Sequence, residues 1–155
     1  MRKITLICIG SLKEKYWLDA FNEYKKRLSR FFDFKLVELS EAKLQKNTQA
    51  QIDQVIEAEG KLVLEKINSQ TVFPLCVEGT ELSSPELANL IATSSDLGEI
   101  TFVIGGSYGL SDKVKSLGKK ISFGKLTYPH QLMRVMFMEQ LYRAGTILNN
   151  TDYHK

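Results

Sequence analysis

Phe102-Val103-Ile104-Gly105-Gly106-Ser107-Tyr108-Gly109-Leu110 decides how this chain folds. The apolar run ending at Ile104 predicts a strand covered on both faces, and the glycines after it predict an open turn at its carboxyl end. Glycine carries no side chain, so backbone there can approach a flat or anionic ligand closely. Downstream, Leu126-Thr127-Tyr128-Pro129-His130 leads into a long helix, and the sequence closes on Tyr153-His154-Lys155. Its two histidines, His130 and His154, both fall in this last third. That places polar chemistry beside a candidate small-molecule site.

Working outward, strand and helix signals alternate. Ile4 to Ile9 reads as a buried strand stopped by Gly10. From Glu14 to Phe31 the apolar residues Trp17, Phe21, Tyr24, Leu28 and Phe31 recur at steps of four and three, with Lys13, Lys15, Lys25, Lys26, Arg27 and Arg30 around the other sides of an amphipathic helix. Phe34 to Leu39 is a second strand. Ser40 to Gln49 is polar and aperiodic, which predicts a mobile loop. Gln51 to Ile67 is a helix. Val72 to Val77 is a third strand despite Pro74, which cannot donate to a ladder. Ser84-Pro85 starts the next helix, with Ser84 read as its cap. Ile100 to Ile104 is the fourth strand, Ser111 to Leu117 a short helix, Ile121 to Phe123 the fifth strand, and Pro129 to Asn149 the final helix.

This alternation predicts an α/β domain, a mainly parallel sheet with helices on both faces, spanning residues 1–155 without repeat or linker. Ligands on such sheets bind beyond the carboxyl ends of the strands. Three loops therefore share the candidate site: Leu75 to Thr80, Gly105 to Gly109, and Phe123 to Tyr128. Strand order is not written in these residues.

Composition narrows the class. The 155 residues are 43% hydrophobic and 25% charged, with a net charge of +3, as in an ordinary globular domain. That charge permits an RNA partner but lacks the strong basic stripe of a dedicated nucleic-acid domain. Cys8 and Cys76 both sit in apolar strands and read as buried free thiols. Two histidines and two separated cysteines offer no metal-ligand cluster. No apolar segment is long enough for a membrane and no cleavage site follows the first run, so a cytoplasmic protein is expected. The G-G-x-x-G spacing is not the dinucleotide fingerprint, and neither a P-loop nor a nucleophile elbow occurs.

The final helix is apolar around most of its circumference, from Leu132 and Met133 through Met136 and Met138 to Leu141 and Leu148. A sheet covers one side of such a helix, which predicts a partner subunit on the other. Glu139 and Arg143, four apart, are placed to pair along the helix, and Arg143 is alternatively free to contact RNA.

Taken together, Phe-Val-Ile-Gly-Gly-x-x-Gly-Leu, Leu-Thr-x-Pro-His-x-Leu-x-Arg-Val, Glu-Gln-Leu-Tyr-Arg-Ala and the terminal Tyr-His-Lys resemble the ribosomal RNA large-subunit methyltransferase H family over the whole chain. Two features depart from its commoner pattern: Pro74, and Thr80 where relatives more often carry lysine. The resemblance implies a SPOUT-class fold whose C-terminal segment threads a loop to form a trefoil knot, a rare exception to the rule against knots. It implies S-adenosylmethionine bound in that knot by Leu75, Gly105, Phe123, Gly124, Lys125, Leu126, Thr127 and Tyr128, within the three loops already selected. It implies a homodimer in which the partner's tail completes the site. The expected substrate is N3 of a pseudouridine in 23S ribosomal RNA, on the assembled ribosome, with neither membrane nor metal involved.

The imide N3 must lose its proton to attack the sulfonium methyl well, which calls for a base or an anion-stabilising cation. His130, Arg134, Arg143, Tyr153 and His154 are the catalytic candidates, with the base unassigned among them. The competing expectations are a non-catalytic RNA- or ribosome-binding module, which has no need of an adenosine slot, and an ordinary nucleotide-binding α/β protein.

Overall fold

Five parallel strands form one sheet in the order β2-β1-β4-β3-β5 in a computed structural model that describes residues 1–155. In chain order the elements are β1 (Arg2–Ile9), α1 (Lys15–Leu28), β2 (Phe32–Leu39), α2 (Gln49–Lys66), β3 (Thr71–Glu81), α3 (Ser84–Ser94), a 3-10 turn at Ser95–Leu97, β4 (Ile100–Ile104), α4 (Asp112–Lys115), β5 (Ile121–Ser122) and α5 (His130–Leu148). No helix is long and apolar enough to cross a membrane.

Side-chain alternation in the central strands builds two cores. Ile4, Leu6 and Cys8 of β1 join Phe102 and Ile104 of β4 beneath α1, α3 and α5. Ile7 and Ile9 face the other way and pack with Val103, Val63 of α2 and Val114 of α4. The expected helices on both faces are therefore present, three on one side and two on the other.

The helix faces follow from sequence spacing. Phe21 and Leu28 are buried and Trp17 and Tyr24 half-buried, so the stripe read from α1 meets the core. That helix ends at Leu28, earlier than its periodicity suggested, because the Phe32-Asp33-Phe34 run is taken into β2. The cap of α3 is Ser83 and not Ser84: the Ser83 hydroxyl accepts from the Glu86 amide at 3.2 Å, and the Glu86 carboxylate accepts from the Ser83 amide at 2.6 Å. This reciprocal box needs three-residue spacing, which only Ser83 satisfies.

Pro74 is tolerated for a topological reason. β3 pairs with β4 from Thr71 to Leu75, while β5 joins the other edge of β3 only from Leu75 onward. At Pro74 one edge of the strand therefore has no neighbour awaiting a donor. The β3–β5 register then shifts between Leu75 and Thr80, lengthening β3 to Glu81. Close by, Gly118 crosses the backbone of β3 so tightly that a Cβ on it would lie 1.9 Å from the Val72 carbonyl oxygen. Glycine is the one residue that permits that crossing.

α5 is the element on which the sequence expectation needs correction. No residue from Gln131 to Leu148 is exposed, yet the covering is done largely within the chain, by α1 and α3 flanking α5 as well as by the sheet. Leu141 is fully buried in the core, whereas Met136 stays half-buried.

Candidate active site

The three loops at the carboxyl ends of β3, β4 and β5 enclose a cavity of about 710 Å³. Leu75, Ile104 and Ile121 form its apolar floor, the Gly105–Leu110 turn one wall, and the Phe123–His130 segment the other. Seven of the eight expected cofactor residues line it: Leu75, Gly105, Phe123, Gly124, Leu126, Thr127 and Tyr128. Lys125 does not; its side chain is exposed outside the lining. The lining has the makeup of a small-molecule site, apolar surface with polar backbone at its edges, and its volume suits a ligand of nucleoside size.

Local chemistry shapes the second wall. Gly124 has φ +119°, a conformation that side-chain-bearing residues avoid. Ser122 holds this turn from below. Its hydroxyl accepts from the Gly124 amide at 3.1 Å and lies 2.9 Å from the Val77 carbonyl, tying the loop to β3. Val77, Tyr108 and Leu126 are 47%, 41% and 70% exposed, giving the mouth an apolar rim. Across it Lys115 and Glu78 pair at 2.6 Å, which raises the lysine and holds the Glu78 carboxyl below the usual carboxylate range. Cys76, expected to be buried, is only half-buried and lines the cavity, because the β3 bulge begins beside it. Both cysteines are free thiols.

The five catalytic candidates divide into three groups. His130 lines the cavity from the first turn of α5. Burial lowers its affinity for a proton, with Arg134 adding to that effect and Glu41 opposing it, so the imidazole is neutral near pH 7. Arg134 lies beneath the site, completely buried. Its guanidinium donates to Glu38 at 2.7 Å and to the carbonyls of Gly10 at 2.5 Å and Ile9 at 3.3 Å, locking α5 to the end of β1. With no exposure, Arg134 does not line the cavity, and its Nε is left without a partner.

Arg143, on the carboxyl half of α5, and Tyr153 and His154, in the tail that follows the helix, form the third group. The Glu139 carboxylate receives Arg143 at 2.5 and 3.0 Å and the Tyr153 hydroxyl at 3.1 Å, and Arg143 lies 3.3 Å from His154 Nδ1. The Arg143 guanidinium also sits over the Tyr153 ring, 4.9 Å from its centroid. The i,i+4 pair expected from the sequence is thus present, and it organises the tail. Burial, followed by the Glu139 charge, pushes the Tyr153 phenol up. None of these three residues lines the cavity. His130 and Arg143 are thirteen positions apart on one unbroken helix, or about 20 Å along its axis.

No group of three or more His, Cys, Asp or Glu is gathered at metal-binding distance. Residues that the sequence reading passed over include Ser122, Glu38 and Glu59. Of these, Glu38 had no local signal, because its partner is 96 positions away.

Residues 2–154 match the family model described as "Predicted SPOUT methyltransferase". The chain belongs to that family. Ribosomal RNA large subunit methyltransferase H of Streptococcus uberis is 45% identical over 158 aligned positions covering 99% of each chain. The protein of the same name from Streptococcus mutans is 47% identical with the same coverage. A solved structure, Archaeoglobus fulgidus Nep1 bound to S-adenosylhomocysteine, covers 81% of this chain at 12% identity and a TM-score of 0.45, too remote a likeness to bear on the site.

Proposed function

We propose that this methyltransferase moves a methyl group from S-adenosylmethionine to N3 of a pseudouridine in large-subunit ribosomal RNA, on the assembled ribosome in the cytoplasm. The observation that carries this reading is the cavity itself: three loops separated in sequence converge on one nucleoside-sized space with seven of the residues expected for the cofactor in its lining. Full-length relatives named for ribosomal RNA methylation support the substrate.

S-adenosylmethionine, which the residues lining the cavity would hold, would supply an electrophilic sulfonium methyl for N3 and would leave as S-adenosylhomocysteine. The chain's own part is to hold the reactants together, exclude water and receive the imide proton. Leu75, Ile104 and Phe123 provide an apolar slot for a flat ring, with backbone amides and carbonyls of residues 124–128 at its edge. His130, neutral because it is half-buried, is placed to accept the proton. Lys125, on the outer side of the same loop, is free to meet RNA phosphate.

The tail group acts across a homodimer in this reading. One chain separates His130 from the Arg143–Tyr153–His154 cluster by about 20 Å of rigid helix. A second copy packed antiparallel along α5 would bring the cluster to the opposite cavity. The test is calorimetry with S-adenosylhomocysteine, followed by transfer of labelled methyl from S-adenosylmethionine to ribosomes lacking the modification. Micromolar cofactor binding and one methyl per ribosome are expected. Cofactor binding without transfer would overturn the reaction; no cofactor binding would favour a pure RNA-binding module.

A further inference from the structure

Glu59, in the middle of α2, is only 3% exposed. One carboxyl oxygen accepts the Ala42 amide at 3.0 Å, and the other, Oε1, has no hydrogen-bond partner. That free oxygen is aimed at the glycine turn from behind: a Cβ on Gly106 would lie 3.1 Å from it. The approach is close because the next residue of α2 is Gly60, where a Cβ would strike Ser111 Oγ at 2.4 Å. Residues 41 and 42 complete a closed circuit. Ser107, in the turn, donates to Glu41 at 3.0 Å, and the adjoining Ala42 amide reaches back to Glu59.

A half-partnered buried carboxyl destabilises a fold, since the desolvation of the unmade bond is not offset. Packing between α2 and β1 would be served as well by leucine. Burial pushes the Glu59 carboxyl up, with Glu41 adding to the rise and only the Ala42 amide opposing it. A group that costs stability and points at a ligand loop is best explained by what that loop does.

We propose that Glu59 is the positioning residue of the cofactor turn: its free oxygen accepts a backbone N–H from Gly106–Ser107 when that turn closes on S-adenosylmethionine, and its other oxygen holds the residue 40–48 strap in register with it. This assignment rests on the cavity being the cofactor site. It makes α2 part of the site although Glu59 does not line the cavity. It also gives the polar strap a task, because Glu41 stands between Ser107 and His130, linking the cofactor turn to the candidate base.

The test compares the wild-type chain with Glu59→Gln and Glu59→Met, titrating each with S-adenosylhomocysteine by calorimetry and recording the unfolding temperature without ligand. Glutamine retains an acceptor for the Ala42 amide but turns an N–H₂ group toward the turn, where an acceptor is needed. Affinity should fall roughly tenfold in the glutamine variant and at least as far in the methionine one. The unliganded unfolding temperature should hold or rise, and KM for ribosomes should stay unchanged while KM for S-adenosylmethionine increases. Wild-type affinity in both variants overturns the assignment. So does a fall in unfolding temperature of the glutamine variant without a specific loss of cofactor affinity. Absence of binding in the wild-type chain overturns the cofactor reading and this assignment with it.

Discussion

Replacing Glu38 with alanine removes the carboxylate that meets a completely enclosed guanidinium. Arg134 has no exposed surface, whereas the Glu38 side chain is 41% exposed. Solvent-exposed partners in surface ion pairs are usually worth little. Here the asymmetry reverses that expectation. With Glu38 gone, the Arg134 charge stays buried with two carbonyl acceptors and no anion, and its Nε already lacks a partner. Breaking a buried pair by removing one member costs about 3–5 kcal/mol, and water entering the vacated position holds the value near the lower end, about 3 kcal/mol. For a chain of this size that corresponds to a fall of roughly 6–12 °C in unfolding temperature. Arg134→Met leaves a carboxylate that rehydrates readily, so its cost comes from the unpartnered Ile9 and Gly10 carbonyls. At roughly 1–3 kcal/mol each, partly offset by removing a desolvated charge, the total is of similar size. Thermal unfolding followed by circular dichroism measures both. A near-neutral Glu38→Ala beside a strongly destabilised Arg134→Met would refute the argument, because it would mean the guanidinium needs no anion where it lies.

For His130, burial lowers the pKa, so the proton-accepting neutral form persists below the ordinary imidazole midpoint. The acid limb of kcat/KM for methylation should fall below pH 6.5, and His130→Asn should abolish that limb while lowering the rate on the order of a hundredfold. Tyr153→Ala and His154→Ala should each slow methylation while leaving S-adenosylhomocysteine affinity within about twofold in calorimetry, since neither residue lines the cavity. Wild-type rates in both would remove the tail from the reaction. Met136→Glu should give a folded monomer by sedimentation, with unchanged circular dichroism and little methylation; Leu141→Glu, in the core, should instead unfold the chain.

What could be read from the sequence was local. The stripe Trp17, Phe21, Tyr24, Leu28 has one period and one meaning, and the continuous apolar runs of β1 and β4 announced strands covered on both sides. Ser83 was also legible, since Ser-x-x-Glu is a box and Ser84 lacks the glutamate at the right distance. The strand order, the β3 bulge and the crossing of Gly118 over Val72 depend on contacts distant in sequence, and no window of residues contains them. Arg134 and Glu59 illustrate the same limit with charge. Both sit at helix positions where a charged side chain normally faces water, and both are buried by partners far along the chain: Glu38, Ile9 and Gly10 for one, Ala42 and the glycine turn for the other. The α5 pattern is apolar all round, but α1 and α3 cover much of the surface that the pattern alone leaves to a second copy.

Several α5 positions remain half-buried, and one stripe of them suits a second copy. Met133, Met136, Gln140 and Arg143 follow one another at steps of three, four and three, so they share a stripe, and all four are half-buried. Met136 and Gln140 open onto a second cavity, of about 530 Å³, between α3 and α5. In a two-fold contact between identical helices, residue i of one copy meets residue j of the other with i plus j constant. Bringing His130 of one chain level with Arg143 of its partner fixes that sum at 273, which puts the axis between positions 136 and 137. Met136 is then level with position 137 of the partner and one residue from its own symmetry mate, so a glutamate there would set two carboxylates close together in an apolar seam. The register that would carry the tail to the opposite cavity thus centres beside a residue that its own chain leaves half-buried, which is why Met136→Glu, and not Leu141→Glu, is expected to separate the copies without unfolding them.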